Sequence, residues 1–382
     1  MKKVLIITRH YLDENNGGSN GSKAYIRALS ELFPDCTLIY PEHLDKSSRM
    51  FIPPTINAIP CCDYRSKIKK GLDVYCGILH RLPRFVIEHI ENNTYDIVVI
   101  DHSITANGII EKVRKSGCKT ITIHHNNEYE YIRDNKPSLL YRWPYIYYSE
   151  KAERNALLMS DLNLTVTEKD KRSFCDRFPD RNIHSYNMGT FHFQNLPADI
   201  TDDGIRNCKT FAITGSMNFQ QSQKPIVDFV DKYFPLLLHK IPEARLIVAG
   251  RNPLKSIWDA CERHNQISLI PNPENITEVI NKADIYICPI NTGSGVKLRV
   301  MDGLKLGLPV LGHSVSLNGY EPIQRDGFFF EYHDENSFLK SLDRIAHFHY
   351  NKKLVYNSFR SYFDFEAGKK RLEVILRKEN II

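Results

Sequence analysis

Short β-branched runs alternate with amphipathic stretches along this chain, and the alternation occurs twice. In the first half the apolar runs fall at 3–8, 37–40, 96–101, 120–124 and 162–166, with helical patterns at 22–32, 67–79, 104–115, 139–158 and 168–177. The runs lack the polar alternation of half-exposed strands. They read as parallel strands buried on both faces beneath helices. A polar stretch at 191–209, with Pro197, Asp199, Asp202 and Asp203, reads as a linker. Strands then recur at 210–214, 245–249, 267–270, 285–289 and 309–312, and helices at 223–238, 254–262, 276–281, 296–306 and 337–348. The expected architecture is α/β, with two Rossmann-like doubly wound parallel-sheet domains facing a cleft, at 1–190 and 210–362. A last helix, from about 363, is expected to pack back on the first domain. In such sheets ligands bind outside the carboxyl ends of the strands.

Composition narrows the function classes. The net charge of +6 is mild and mixed in sign, which suits phosphates or an anionic membrane surface and gives no footprint for nucleic acid. Nine cysteines occur without a CxxC, so reduced thiols are expected rather than a disulfide framework or a zinc site. No apolar run reaches the roughly 20 residues of a membrane span, and no leader pattern precedes the first strand. The expected location is cytoplasmic, with peripheral membrane contact at most.

The strongest motif is Ile290-Asn291-Thr292-Gly293-Ser294-Gly295-Val296-Lys297, between a strand and a helical pattern. Glycines there let the backbone approach a bulky anion, and a helix N-terminus beside it offers unpaired N–H groups. Lys297 and Arg299 add positive charge. Asp302, about two turns beyond Gly295, is expected on the same face, where its carboxylate can accept from a ribose diol. Taken alone, the loop reads equally as an ordinary helix cap.

The surroundings narrow that reading. Ala283-Asp284 and Pro289 precede the loop. After it come Leu298-Arg299-Val300-Met301-Asp302-Gly303 and then Gly307-Leu308-Pro309-Val310. This order resembles the donor-binding core of the retaining glycosyltransferases of family four, GSG-x-K subgroup, with the GT-B fold and members in bacterial polysaccharide synthesis. The resemblance implies a nucleotide-sugar donor, UDP-linked by preference, and metal-independent transfer without a cofactor. The implied acceptor is a glycan or undecaprenyl-linked glycan. Ser294 and Asp302 stand where many members carry two glutamates, so the ribose contact is shorter in reach here.

Other segments fit the same resemblance. Gly215-Ser216-Met217-Asn218-Phe219 looks like the first turn of the donor domain. Gly250-Arg251 and Asn272 occupy the ends of the next two strands, near the implied base and diphosphate. The run Asn15-Asn16-Gly17-Gly18-Ser19-Asn20-Gly21-Ser22 resembles the family's glycine-rich loop, with Gly17 and Gly18 near donor phosphate; read plainly, it is a mobile surface loop. His124-His125-Asn126-Asn127-Glu128 resembles the active-site histidine segment. His125 aligns best for the donor sugar, with His124 as the alternative. Asp101, His124 and Glu128 are expected on the acceptor side. The basic, aromatic stretch from Arg65 to Arg84 reads either as a solvated amphipathic helix or as a face for an anionic bilayer. Tyr141 to Tyr148 reads as acceptor groove or as core.

The implied catalytic set is His125, Lys297 and Asp302. Transfer is expected by a front-face, oxocarbenium-like path, with the helix from Val296 and Lys297 countering charge on the leaving diphosphate. Two alternatives remain at this level. One is a UDP-sugar 2-epimerase on the same fold; the other is a degenerate transferase retained as a binding subunit.

Overall fold

The computed structural model describes residues 2–14, 16–45, 47–63, 65–135, 140, 142–201, 204–218 and 220–382. Asn15, Leu139, Tyr141, Asp202, Asp203 and Phe219, which entered the expectations above, lie outside the described residues. The chain forms two compact units. The first comprises 1–195, 293–295 and 364–382, and the second 196–292 and 296–363.

The first unit is built on seven strands: β1 (Lys3–Thr8), β2 (Asp35–Glu42), β3 (Asn57–Cys62), β4 (Ile97–Asp101), β5 (Lys119–His124), β6 (Leu162–Thr165) and β7 (Ser185–Asn187). All pair in parallel, in the order β3-β2-β1-β4-β5-β6-β7. The side-chain period of two divides β1 between two cores. Val4 and Ile6 pack with helix Gly17–Leu32 and with Leu372 and Leu376 of helix Phe365–Lys378. Leu5 and Ile7 pack on the other face with Val86 and Ile90 of helix Leu82–Asn92. Helix Phe365–Lys378 is fastened to helix Gly17–Leu32 by Arg27 over the Phe365 ring at 3.6 Å and by Lys369–Glu31 at 2.6 Å.

The second unit carries an antiparallel pair, β8 (Ile205–Asn207) with β15 (His349–Asn351), and a six-stranded parallel sheet. The sheet strands are β9 (Thr210–Ser216), β10 (Arg245–Arg251), β11 (Ile267–Pro271), β12 (Ile285–Cys288), β13 (Val310–His313) and β14 (Phe329–Tyr332), in the order β11-β10-β9-β12-β13-β14. A single core runs through it, including Phe211, Phe229, Tyr286, Phe330 and Phe359.

Three strands of the two parallel sheets were not expected from sequence: β3, β7 and β14. All three are edge strands. With one side unpaired they need no continuous apolar run, and β3 contains Pro60, which an edge tolerates. The expected helix at 67–79 stops at Tyr75. Gly77 follows at φ +76, a conformation that ends a helix.

Candidate active site

In a doubly wound sheet, the crevice lies where the strand order reverses. In the first unit that point is between β1 and β4. Asp101 ends β4 and is 1% exposed. Its carboxylate accepts from Thr8 Oγ1 at 2.6 Å, Ser22 Oγ at 2.5 Å and His125 Nε2 at 2.6 Å. Burial alone raises this carboxyl. The charge and hydrogen bond of His125 outweigh it and hold the group well below the usual carboxylate range. An ionised, buried Asp101 therefore fixes the imidazole of His125 by its Nε2–H.

A second pair lies beside the first. His102 Nε2 donates to Glu128 Oε1 at 2.9 Å, and His102 Nδ1 accepts from the Ile104 N–H at 3.3 Å. Burial works against the charged form of Glu128, but His102 lowers its pKa. His102 sits at φ +77, which costs of order 1–3 kcal/mol for a residue with a Cβ. His10, just past β1, lies edge-on to His102 at 5.2 Å and to His125 at 6.0 Å. Burial and then the neighbouring His102 push its pKa well down, so it is neutral at pH 7. Among the described residues its Nε2 is buried without a hydrogen-bond partner.

The glycine run makes room for these rings. A Cβ on Gly18 would lie 2.5 Å from His10 Cε1, and one on Gly21 would lie 3.0 Å from His125. The described part of this run is not the expected loop: Gly17 to Ser22 form the first turns of helix Gly17–Leu32. Asn16 caps it by accepting from the Ser19 N–H at 2.9 Å, so the Gly17 and Gly18 amides sit in the first turn, where helix N–H groups lack intrahelical partners.

His124 takes a different place from the one expected. It is fully enclosed, donates from Nε2 to Asn163 Oδ1 at 2.9 Å, and packs on Phe174. Successive strand side chains point to opposite faces, so His124 is a core residue where His125 reaches Asp101. Gly293 (φ +89) and Gly295 (φ +68) bracket Ser294, whose hydroxyl donates to the Asn127 carbonyl at 3.1 Å. Ser294 is thus buried rather than presented to solvent.

In the second unit the strand order reverses between β9 and β12. Gly215, next to last in β9, has φ +152, and a Cβ there would lie 2.3 Å from Arg299 Cζ. Only glycine lets this turn and the guanidinium share the space. Gly250, at the end of β10, is equally constrained: its Cβ would meet the Gly215 carbonyl oxygen at 1.8 Å. Arg251 follows, exposed, and its carbonyl accepts from the Met217 N–H at 2.9 Å. Asn272 donates its N–H to Gly250 O at 2.8 Å and accepts from the Asn252 N–H at 2.9 Å. Ser216 Oγ donates to Asn218 Oδ1 at 2.8 Å. Gly215, Ser216, Gly250, Arg251, Asn272 and Arg299 are therefore gathered at one sheet edge.

Residues 208–347 match the family described as glycosyl transferases group 1. The chain also has the fold of solved glycosyltransferases. The Anabaena protein HepE, solved in complex with UDP and glucose, superposes with a TM-score of 0.65 at 10% identity, covering 99% of this chain and 100% of that one. The lipopolysaccharide outer core galactosyltransferase WaaB, in its apo form, gives 0.66 at 10% identity over 99% and 100%.

The fold is GT-B.

A Klebsiella pneumoniae protein described as an uncharacterized 44.6 kDa protein in the cps region is 22% identical over 351 residues, 84% of each chain. The family match covers residues 208–347, and the likeness to solved structures extends the shared fold to the whole chain.

One expectation about this GT-B chain needs correction. The helix expected at 296–306 is helical only at Val300–Leu304. Tighter turns precede it, with Val300 N–H to Lys297 O at 2.9 Å, Met301 to Leu298 at 3.0 Å and Asp302 to Arg299 at 3.0 Å. The Lys297 carbonyl also accepts from the Tyr320 hydroxyl at 3.0 Å. Val296 therefore does not open a helix, and no long helix dipole points at the glycine loop. Positive charge near this segment comes from the Lys297 and Arg299 side chains. Asp302 shares no helical face with Gly295, and its Oδ1 pairs with Lys305 Nζ at 2.6 Å.

Sequence reasoning missed His10 and took Ser22 only as the end of the glycine-rich run. A signal existed: Thr8-Arg9-His10 directly follows the first strand, where a doubly wound sheet opens its crevice.

Proposed function

We propose that this chain transfers a hexosyl group, with retention, from a UDP-sugar to a hydroxyl of a glycan or undecaprenyl-linked glycan in cell-surface polysaccharide synthesis. The observation that carries the reading is the edge of the second sheet, where Gly215 makes room for Arg299 at the strand-order reversal. A guanidinium at that position suits a diphosphate, whose charge grows as it leaves. HepE, of the same fold, is described with UDP and with UDP-glucose.

In this reading the bond from the sugar anomeric carbon to the diphosphate breaks. The acceptor oxygen bonds to the same face, and its proton passes to the departing diphosphate. Lys297 and Arg299 supply the countercharge, so the transfer is metal-independent and needs no cofactor. His125, oriented by Asp101, hydrogen-bonds sugar hydroxyls through an imidazole able to donate or accept.

In this reading the transfer occurs at the cytoplasmic face of a membrane. Ile68, Leu72 and Tyr75 are exposed on helix Lys67–Tyr75 beside Lys67, Lys69 and Lys70; Trp143 and Tyr147 are exposed on helix Arg142–Met159. Apolar side chains with lysines suit an anionic bilayer surface. No described helix is long and apolar enough to cross one.

A thermal-shift screen of nucleotide sugars tests the donor. A ligand at a hundred times its Kd stabilises the folded state by about 2.7 kcal/mol. Transfer to a glycan acceptor by the purified chain supports the reading. Release of epimerised free sugar without acceptor, or binding without any transfer, defeats it.

A further inference from the structure

The carboxyl ends of β1, β2 and β3 border a cavity of about 160 Å³ that the Asp101–His125 pair does not line. Four cations line it, Arg9, Arg65, Lys70 and Arg81, against one carboxylate, Asp63. Arg65 is a fixed part of the wall. Its Nε and Nη2 donate to the two Asp63 oxygens at 3.0 Å each, and its Nη1 donates to Asp73 Oδ2 at 2.9 Å. Lys70 Nζ stands 3.3 Å from the same Asp63 carboxylate. Asp63 is thereby shared between two cations. Arg9 is close enough for its charge to act on His80, His10 and Glu128. Converging like charges in a partly desolvated cavity are unfavourable unless an anion joins them.

A histidine shares the wall. His80, 8% exposed, lines the cavity. Its Nε2–H donates to the Ile104 carbonyl at 3.1 Å, and its Nδ1 is buried with no partner among the described residues. Burial and then the charge of Arg9 bring its pKa down to about 3, so the ring is neutral and Nδ1 is an acceptor. The wall thus offers guanidinium and ammonium donors. That set suits a phosphate oxygen array. Leu79, Leu82 and Pro41 supply an apolar floor. The volume holds roughly five waters at ~30 Å³ each, enough for a phosphate and the atoms next to it.

We infer that this cavity binds a phosphate group and that the acceptor handled by the first unit is therefore phosphorylated. The second clause rests on the transferase reading; the first does not. Arg9 is followed directly by His10, whose ring lies 6.0 Å from that of His125.

The test uses the purified full chain saturated with UDP, so that any diphosphate site on the donor side is filled. Inorganic pyrophosphate and glucose 1-phosphate are titrated by calorimetry into wild type, Arg9→Gln, Arg81→Gln and Lys70→Gln. Each substitution is expected to raise the Kd for pyrophosphate roughly tenfold or more, with the Kd for UDP unchanged. Lys70 is exposed, so its variant keeps the test valid if an arginine variant fails to fold. Flotation with phosphatidylcholine vesicles carrying undecaprenyl diphosphate separates the sources. Capture that Arg9→Gln abolishes identifies a lipid-linked phosphate; no capture alongside Arg9-dependent binding of glucose 1-phosphate identifies a soluble one. Pyrophosphate binding that all three variants leave intact overturns the inference, as does absence of phosphate binding in a chain that still binds UDP. Arg9-dependent phosphate binding in a chain that fails to bind any nucleotide sugar leaves the cavity standing and defeats the transferase reading.

Discussion

Gly215→Ala separates donor binding from folding. The added Cβ would stand 2.3, 2.4 and 2.6 Å from Arg299 Cζ, Nη2 and Nη1. Carbon contacts are comfortable only at about 3.5–4.0 Å, so the guanidinium must retreat by more than ~1 Å. It is the far end of a flexible side chain and can do so. The fold then bears mainly the backbone strain at φ +152, of order 1–3 kcal/mol. Donor binding loses a charge-assisted contact, about 1.5–3 kcal/mol, or roughly 10–150-fold in the Kd for UDP. Arg299→Ala is expected to lose the same amount, and the double variant no more than Arg299→Ala alone, because both act through one guanidinium. Calorimetric titration of UDP into the four proteins, each checked by urea denaturation, measures the cycle. Gly250→Ala is the contrast: its Cβ meets a backbone carbonyl that cannot swing away, so a stability loss of about 3 kcal/mol or more is expected. Wild-type UDP affinity in a folded Gly215→Ala protein, or losses that add in the double variant, would refute the assignment of Arg299 to the donor.

Lys297→Ala should lower turnover at saturating donor at least tenfold, as removal of a donor to a developing anion does, and steady-state kinetics reads it. Asp101→Asn should lower kcat and also stability. The depressed carboxyl contributes stability above the ordinary Asp pKa and loses it as pH falls through the folded value, so the variant's urea midpoint should vary less than wild type's below about pH 4. His80 acts at milder acidity. Its folded pKa of about 3 lies below the ordinary 6.5, so the unfolded chain takes a proton that the fold excludes. Stability should fall as pH drops from 6.5 toward 3, by at most ~5 kcal/mol from this residue, and His80→Gln should flatten that part of the profile. Gly18→Ala should disturb His10, whose ring lies 2.5 Å from the new Cβ position, and reduce activity several-fold with little change in UDP affinity; parallel loss of UDP affinity would contradict the placement.

The amino-acid sequence by itself determined the two parallel sheets. Strands buried on both faces need continuous apolar runs, and β1, β4, β5 and β10 carry them within one or two residues of their observed ends. It also picked out Gly215, Gly250 and the 293–297 loop, because glycine requirements and chain order are local properties. Tertiary structure decided the rest. It made edge strands of β3, β7 and β14, whose pairing on one side leaves little apolar signal. It placed Asp101, Ser22 and His125, distant in sequence, around one carboxylate, and turned His124 into the core. It also shortened the helix after the glycine loop to Val300–Leu304, so countercharge there comes from Lys297 and Arg299 side chains rather than from a helix end. Periodicity reports which faces are buried, but which side chains meet is set by how separate strands end beside one another, and no local pattern encodes that.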